Sequence, residues 1–225
     1  MLSVPVEPNS STWMRLAAVK DRQRETGTLT TLWTDAKTEV RRQGITSVAA
    51  LTANTWPECI LPKLGFKPIG RVVVLRRHQM GKPAIENTAI GIRAASISDL
   101  QAILHIDHTA FEPLWRYSTR MLRLALMRAE FATVAYQGSN IIGYLLASRN
   151  QGKALLARLV VTPDCQHRGF GRALTINMLR NFAGDQSSTV DVNTQEDNAA
   201  SIALYRALDF EFTGEKAQVW RCVLN

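Results

Sequence analysis

The segment Pro163–Leu174, PDCQHRGFGRAL, carries two glycines among basic and aromatic residues, directly after the apolar run Leu155–Val161. A turn with few side chains that leads into a helix leaves backbone N–H groups without partners inside the helix. These N–H groups and the helix dipole supply partial positive charge, and the arginines of the segment add full charges. We therefore predict that this turn binds a phosphate group.

Two common phosphate-binding loops do not match the segment. A Walker loop requires GxxxxGK[ST], which the sequence lacks. A dinucleotide-binding turn requires a third glycine or alanine where Leu174 stands, although Asp191 lies at the distance expected of its ribose-binding acid. The turn Thr162–Arg168 also separates the strand from the first glycine, which disfavours this design. A plain strand-to-helix turn without a ligand is the remaining alternative.

The residues Gln166–Gly171 resemble the first signature of the GNAT N-acetyltransferases, Q/R-x-x-G-x-G/A. A second segment, Asn198–Phe210, resembles that family's N-x-x-A-x-x-L-Y-x-x-x-G-F, with Ser201 in place of the alanine and Asp209 in place of the glycine. The two motifs follow each other in the order and at the spacing of the family. The resemblance implies the GNAT acyl-CoA N-acyltransferase fold, an α/β (α+β) fold with a mixed sheet, over residues 91–225.

The resemblance also implies acetyl-CoA as the co-substrate, with its pyrophosphate on the glycine turn. In the family the strand before this turn separates from its neighbour, and the pantetheine arm pairs with the exposed backbone like an extra strand. Transferred residue by residue, the expected cofactor-binding positions are Leu159, Val160, Val161, Gln166, His167, Arg168, Gly169, Phe170, Gly171, Arg172 and Asn198. For Asn198 the alternative is a helix N-cap without a role in binding.

Acetyl transfer to an amine needs an acid for the leaving thiolate, and the family's tyrosine falls on Tyr205. A tyrosine hydroxyl can serve because its ordinary pKa, about 10, lies above that of a typical thiol. The resemblance thus implies Tyr205 as the catalytic acid, with a backbone N–H near Val160 as the donor to the carbonyl oxygen. The alternative is that Tyr205 only packs its ring inward beside Ile202 and Leu208.

A general base does not stand out in the sequence. The two positions at which relatives carry a glutamate hold Leu155 and Asn193, and neither residue accepts a proton. Asp107, His108 and Glu112 are the other candidates, although each is expected more readily as a surface residue. Proton removal through water, or binding of an already neutral amine, is equally compatible.

The segment 110–118, AFEPLWRYS, lies where the family forms its acceptor pocket. It faintly resembles the aromatic-proline loop of ribosomal-protein N-terminal alanine acetyltransferases, with additional residues. Phe111, Glu112, Trp115 and Tyr117 are therefore the expected pocket residues, with core packing as the alternative for the aromatic ones. The acceptor is expected to be the amine of a small molecule or of a protein N-terminus.

The chain has 225 residues, 46% hydrophobic and 20% charged, which is typical of a globular protein with a substantial core. Its formal net charge of +8 favours anionic ligands, with solubility as the alternative explanation. The basic residues are scattered and no apolar run would span a membrane, so neither a nucleic-acid nor a membrane partner is expected.

Cys59, Cys165 and Cys222 lack disulfide or metal-ligand spacing, so no metal is expected. The N-terminal residues do not resemble a secretion signal, so a cytoplasmic location is expected, and a homodimer is allowed.

The periodicity over residues 91–225 predicts the element order α-α-β-β-β-α-β-α-β. Ser96–Asp99 resembles a capping box at the start of the first helix, and Ser118 is expected to begin the second helix. Short, turn-rich links between the next three apolar runs predict hairpins.

The first half of the chain contains an internal repeat of the pattern that ends the second half. The stretch that begins at Asn54 parallels the stretch that begins at Asn198, an offset of 198 − 54 = 144. The same offset pairs Phe66 with Phe210. Both copies therefore predict the order strand, turn, helix, strand, helix, strand.

The repeat predicts a degenerate half GNAT-like repeat in residues 1–77, a linker in 78–90 and a complete domain in 91–225. Leu61 stands in place of Tyr205 in the first copy, so this copy is expected to be structural. The sequence as a whole predicts an acetyl-CoA-dependent N-acetyltransferase that acetylates a primary amine by direct attack. The alternative is a non-catalytic acyl-CoA-binding or scaffold protein, which the missing base and the degenerate repeat would suit.

Overall fold

The computed structural model describes residues 1–4, 11–17, 25–53, 58–78, 83, 90–150, 152–183 and 189–224. In the first half of the chain the elements are β1 (Leu2–Ser3), β2 (Ser11–Trp13), β3 (Leu16–Ala17), α1 (Glu25–Arg42), β4 (Ser47–Thr52) and β5 (Lys67–His78). In the second half they are β6 (Gly91–Ala94), α2 (Leu100–Ala110), α3 (Thr119–Arg128), β7 (Phe131–Gln137), β8 (Asn140–Asn150), β9 (Lys153–Val161), α4 (Phe170–Phe182), β10 (Thr189–Gln195), α5 (Ala199–Arg206) and β11 (Glu211–Val223). Short 3-10 turns lie at Leu61–Leu64, Ile97–Asp99, Pro113–Trp115 and Pro163–Cys165.

The element order predicted for the second half is confirmed, with the addition of strand β6 before the first helix. This strand has four residues, too few to show an alternating pattern in the sequence. It pairs antiparallel with β7, and Gly91 lies opposite Tyr136. A Cβ atom at position 91 would lie 2.5 Å from Cζ of Tyr136, so the tyrosine ring occupies the space that any side chain would need.

The predicted helix starts and hairpins are also present. The backbone N–H of Ser96 donates to the Asp99 carboxylate at 2.8 Å, which forms the expected capping box. The Ser118 hydroxyl accepts a hydrogen bond from the backbone N–H of Met121 at the start of α3. Antiparallel registers join β7 to β8 and β8 to β9.

The chain forms two compact units, and neither is continuous in sequence. The first unit comprises Met1–Val72, Gln195–Asp197 and Glu215–Asn225, and the second comprises Val73–Thr194 and Asn198–Gly214. The predicted division into residues 1–77, 78–90 and 91–225 stays a prediction. Most of the predicted linker, residues 79–82 and 84–89, lies outside the described residues.

In the first unit, strand β4 pairs parallel with β2 and antiparallel with β11. Helix α1 packs one face onto a core that includes Leu29, Trp33 and Val40. The indole Nε1 of Trp33 donates to the backbone oxygen of Leu64 at 2.9 Å, and its ring lies 5.0 Å from that of Phe66. This contact fixes α1 to the chain segment that enters β5.

In the second unit the strand order is β5-β10-β9-β8-β7-β6, with β9 and β10 parallel and the β6–β9 pairs antiparallel. Two separate cores cover the faces of this mixed sheet. One core contains the buried side chains of α4 and α5, and the other contains those of α2 and α3. The candidate site residues lie on β9, at the start of α4, at the N-cap and in the last turn of α5, and in the segment between α2 and α3.

Partway along strand β9, the alternation of its side chains between the two faces of the sheet shifts by one residue. Leu146 of β8 pairs with Arg158, but the next residue of β8 pairs with Leu156, so Ala157 is an extra, bulged residue. Before the bulge, Leu156 belongs to the core of α4 and α5; after it, Val160 belongs to the core of α2 and α3. A bulge shifts the alternation by one residue, and Arg158 therefore faces α2.

Candidate active site

The glycine turn between β9 and α4 presents an array of backbone donors. Gly169 is the N-cap of α4 with φ 88°, and His167 also has a positive φ, of 58°. The first hydrogen bond of the helix runs from the N–H of Ala173 to the Gly169 oxygen at 2.9 Å. In the described part of the chain, the backbone N–H groups of residues 167–171 donate no hydrogen bond outside the helix itself. An anion at this turn would meet these N–H groups and the positive end of the helix dipole.

Gly171 marks the point where the turn, strand β9 and helix α5 meet. A Cβ atom at this position would lie 3.5 Å from Cδ2 of Leu204, 3.8 Å from Cγ2 of Val161 and 3.9 Å from Cδ2 of Leu159. These are ordinary contact distances, so the structure accommodates either residue of the G/A signature here. The predicted cofactor residues of the strand and of the turn are thus neighbours of the helix that carries Tyr205.

Strands β9 and β10 separate before they reach the glycine turn. Their parallel register ends where Leu156 pairs with Val192, whereas β9 continues to Val161. On its other edge β9 stays paired with β8 as far as Gly143, where a Cβ atom would lie only 2.7 Å from the Val160 oxygen. The edge of residues 159–161 that faces β10 is therefore open to an extended ligand, while Nε2 of Gln166 donates to the Val161 oxygen at 3.1 Å.

Tyr205 is buried on α5, with 4% of its surface exposed, and its ring lies 5.6 Å from that of Phe210. Burial raises the pKa of Tyr205 above its ordinary value, so its hydroxyl is protonated at neutral pH. The Oδ1 atom of Asn198 accepts a hydrogen bond from the N–H of Ser201 at 3.1 Å, which makes Asn198 the N-cap of the same helix. Helix α5 is therefore capped by the Asn198 side chain and carries the buried hydroxyl of Tyr205 one residue beyond Leu204.

A buried polar cluster lies on the other face of β9, where the segment 111–118 crosses it. The Asp107 carboxylate of α2 is fully buried, and its Oδ2 atom accepts hydrogen bonds from Nε of Arg158 at 2.8 Å and from the Tyr144 hydroxyl at 2.5 Å. Its Oδ1 atom accepts from the backbone N–H of Tyr117 at 3.0 Å. Asp107 is therefore satisfied on both oxygens and joins α2, β8, β9 and the crossing segment.

The Arg158 guanidinium is enclosed by the same segment. It lies over the rings of Phe111 and Tyr117, at 3.8 Å and 3.9 Å from the ring centroids. Its Nη2 atom donates to the backbone oxygen of Trp115 at 2.8 Å and lies 2.6 Å from the Asp107 carboxylate. Burial opposes its charge, but Tyr144 and Asp107 keep the pKa of Arg158 above its ordinary value.

The sequence pattern of the family described as "Acetyltransferase (GNAT) family" matches residues 99–210, which contain this turn, the open strand edge and both helices. Residues 99–210 therefore form a GNAT acetyltransferase domain.

Relatives and solved structures agree with this GNAT domain. The [ribosomal protein bS18]-alanine N-acetyltransferase of Escherichia coli K12 is 27% identical over 119 residues, which are 53% of this chain and 79% of that protein. A GCN5-related N-acetyltransferase from Sphaerobacter thermophilus covers 100% of this chain and 76% of its own, with 16% identity and a TM-score of 0.69. A tandem GNAT protein of the clavulanic acid biosynthesis pathway covers 100% of this chain and 78% of its own, with 15% identity and a TM-score of 0.67.

These findings confirm the predicted GNAT fold with a mixed sheet and the predicted class of enzyme, an N-acetyltransferase. The roles of individual residues, a cytoplasmic location and a homodimer stay predictions. Among the described residues, no helix is both long and apolar enough to cross a bilayer. The same residues contain no group of three histidine, cysteine or carboxylate side chains that could hold a metal ion.

The structure of the GNAT domain changes the list of candidate bases. The expectation that Asp107 is a surface residue is wrong, because it is fully buried and bonded to Arg158 and Tyr144. His108 is half-buried and its Nε2 atom lies 2.9 Å from the backbone oxygen of Tyr117. Glu112 is exposed, as expected of a surface residue.

The other predicted residues of the GNAT domain are distributed as follows. Phe111 and Trp115 are half-buried and both contact Arg158, whereas Leu155 and Asn193 are exposed on their strands. Arg172 donates to the backbone oxygen of Ala207 at 3.2 Å, so this arginine links α4 to the end of α5. The buried residues that sequence reasoning missed are Tyr144 and Arg158, for which only their polar nature within apolar strands gave a signal.

Proposed function

We propose that this chain is an acetyl-CoA-dependent N-acetyltransferase that acetylates a primary amine by direct attack, with Tyr205 as the general acid. The observation that supports this most strongly is the convergence at Gly171 of the donor-rich turn, the open edge of β9 and the helix of Tyr205. Acetyl-CoA would supply the thioester, and the chain would supply its binding, its orientation and the proton for the leaving group.

The proposed binding site follows the backbone. The N–H groups of residues 167–172 hold the pyrophosphate, with the exposed Arg168 side chain as an additional cation nearby. The edge of Leu159, Val160 and Val161, which extends beyond the last pair of β9 with β10, holds the extended pantetheine arm by main-chain hydrogen bonds. Asn198 uses Oδ1 as its helix cap, so its amide nitrogen is the atom that contacts the co-substrate.

The proposed chemistry uses few side chains. The amine nitrogen attacks the thioester carbonyl carbon, whose oxygen accepts a hydrogen bond from a backbone N–H near Val160. The C–S bond breaks, and Tyr205 gives its proton to the thiolate sulfur. The proton of the amine leaves through water and restores the tyrosine. The fully bonded state of Asp107 supports this route over a direct side-chain base at that position.

The acceptor is a primary amine of a protein N-terminus or of a small molecule. The protein N-terminus is supported by the Escherichia coli relative, whose name describes an alanine N-acetyltransferase of a ribosomal protein. The half-buried Phe111 and Trp115, together with the exposed Glu112, line the proposed acceptor side.

Residues 1–77 are a structural half-repeat that binds no acetyl-CoA. Leu61, at the place of Tyr205 in the repeat, is buried in an apolar core with 4% exposure. In the first copy the segment 21–29, DRQRETGTL, corresponds to the glycine turn and keeps only Gly27. Gly27 lies inside helix α1, whereas residues 21–24 lie outside the described residues. One acetyl-CoA per chain is therefore the expected stoichiometry, and two per chain would contradict the proposal.

Thiol-release kinetics with acetyl-CoA across a panel of amines and alanyl peptides test the proposed function. Turnover of at least one acceptor is expected, together with loss of acetyl-CoA binding when Gly169 is replaced by Asp. Tight acetyl-CoA binding without turnover of any amine or peptide would instead support the non-catalytic acyl-CoA-binding alternative.

A further inference from the structure

We propose that Arg158 determines acceptor specificity by donating a hydrogen bond to a carbonyl oxygen next to the acceptor amine. This inference rests on the proposed N-acetyltransferase function and deepens it. By this hydrogen bond Arg158 selects acceptors that carry an α-amino acyl group, such as a peptide N-terminus or an amino acid amide, over simple alkyl amines.

The first argument is the unused donor capacity of a rigidly held side chain. Nε and Nη2 of Arg158 are bonded to Asp107 and to the Trp115 oxygen, whereas no hydrogen bond of the described residues uses Nη1. Arg158 has only 9% of its surface exposed, and a guanidinium always carries its N–H donors. A ligand atom can therefore meet a donor that the protein leaves unpaired.

The second argument concerns the charge of the ligand. Asp107 already compensates the Arg158 cation through two short contacts, of 2.6 Å and 2.8 Å. The cluster therefore neither repels an amine strongly nor attracts a full carboxylate strongly. A neutral carbonyl oxygen, which accepts one hydrogen bond without bringing charge, is the group that fits the remaining donor.

The third argument is the position of Arg158 on β9. It lies two residues before Val160, so the two Cα atoms are separated by about 7 Å along the strand. It faces the segment 111–118, the side on which the acceptor is proposed to bind. An acceptor whose amine attacks the thioester near Val160 can thus present its neighbouring carbonyl to Arg158 on the same strand.

The competing explanation is that the cluster only braces the segment 111–118 against β9. Loss of Arg158 alone would leave Asp107 buried without its partner and could unfold the protein. The test therefore uses Arg158→Lys, which keeps a cation for Asp107, and the double variant Asp107→Asn with Arg158→Gln, which removes both charges. Circular dichroism and thermal unfolding establish that each variant is folded.

Equilibrium binding of two acceptors is measured by calorimetry on the full chain with CoA present. The probes are L-alaninamide and sec-butylamine, which share the amine and methyl group but differ in the carbonyl. Wild-type protein is expected to bind L-alaninamide at least tenfold more tightly, and both variants are expected to lose that ratio. The two amines have different pKa values, so each affinity is expressed per concentration of neutral amine, and the ratios are compared between proteins at one pH.

Equal affinity of the wild-type protein for the two probes would overturn the inference. Retention of the wild-type ratio in the folded variants would also overturn it and would leave the cluster as a brace. Both variants are expected to keep the affinity for acetyl-CoA, since Arg158 faces away from the glycine turn. Failure of thiol release with every acceptor would reject the proposed function, whereas the binding ratio still reports on Arg158.

Discussion

The guanidinium of Arg76 on β5 donates two hydrogen bonds to the carboxylate of Asp191 on β10, from Nε at 2.6 Å and from Nη2 at 2.7 Å. The two side chains are only 26% and 20% exposed. Planar, two-point contact of this kind is the strongest form of an arginine–carboxylate pair. Asp191 therefore joins the neighbouring strands β5 and β10. This structural role explains the acidic residue at the position where a dinucleotide-binding turn would carry its ribose-binding acid.

Replacement of Arg76 by Ala is expected to lower the free energy of unfolding by about 2 kcal/mol, since it leaves a partly buried carboxylate with fewer partners. Asp191→Asn is the matched change on the other strand. A double-mutant cycle from urea unfolding should give a coupling energy of about 1–2 kcal/mol. Additive effects of the two changes would show that the pair contributes nothing of its own.

Replacement of Tyr205 by Phe is expected to lower kcat by about 10²-fold or more, the usual range for proton-transfer catalysis. The ring and its packing on Phe210 are kept, so acetyl-CoA affinity should not change. Steady-state kinetics and calorimetry measure the two effects. A variant with near wild-type kcat would make Tyr205 a packing residue only.

The pH dependence of the wild-type enzyme tests the same hydroxyl. Burial raises the pKa of Tyr205, so the proton needed by the leaving group is present below the raised value and lost only above it. The kcat should therefore show no decline from Tyr205 ionisation up to about pH 10, the ordinary tyrosine value. A decline in that range that is absent from Tyr205→Phe would contradict this assignment.

Replacement of Gly169 by Asp is expected to weaken acetyl-CoA binding severely, because it places a negative charge at the donor-rich turn. Gly169→Asn is the control, since it has the same shape and the same strain at φ 88° without the charge. Both residues suit an N-cap, so the two variants should be similarly stable. Calorimetry should show at least tenfold weaker binding for Asp than for Asn, and equal affinities would reject the pyrophosphate assignment.

Replacement of Asp209 by Gly is expected to stabilise the protein by about 1 kcal/mol, because a residue with a Cβ atom is strained in the left-handed region. Asp209 has φ 62° and stands where the family signature has glycine. Its contact with Arg77 is long, at 3.8 Å, and the Asp209 side chain is 86% exposed, so little is lost. Asp209→Ala is the opposite control, and a stability gain with Ala would disprove the strain.

The capping box at the start of α2 should make stability depend on pH. Hydrogen bonds from Arg93 lower the pKa of Asp99 to about 2, from an ordinary value of 3.8, with a further contribution from the N–H of Ser96. The folded state binds the proton less well than the unfolded state, so this stabilisation is present above about pH 4 and is lost as the pH falls towards 2. The free energy of unfolding of Asp99→Asn, measured between those pH values, should lack this part of the pH dependence.

The features that sequence alone determined are local in the chain. The capping box at Ser96–Asp99 and the caps at Ser118 and Asn198 depend on residues three or fewer positions apart. The glycine turn likewise follows from Gly169, whose left-handed conformation begins α4 after the short segment Thr162–Arg168 that follows β9. Short-range hydrogen bonds and periodic burial fix such features, so the element order and the family signatures could be recognised without coordinates.

The features that only the tertiary structure decided depend on pairing between distant segments. Polar residues within the apolar pattern of a strand do not reveal which face they occupy, and the bulge at Ala157 exists only because β9 pairs with β8 in this register. That bulge turns Arg158 towards Asp107, a residue 51 positions earlier, and so buries a carboxylate that the sequence placed at the surface. The ion pair forms because two buried charges must compensate each other, a condition that neither residue meets in its own segment.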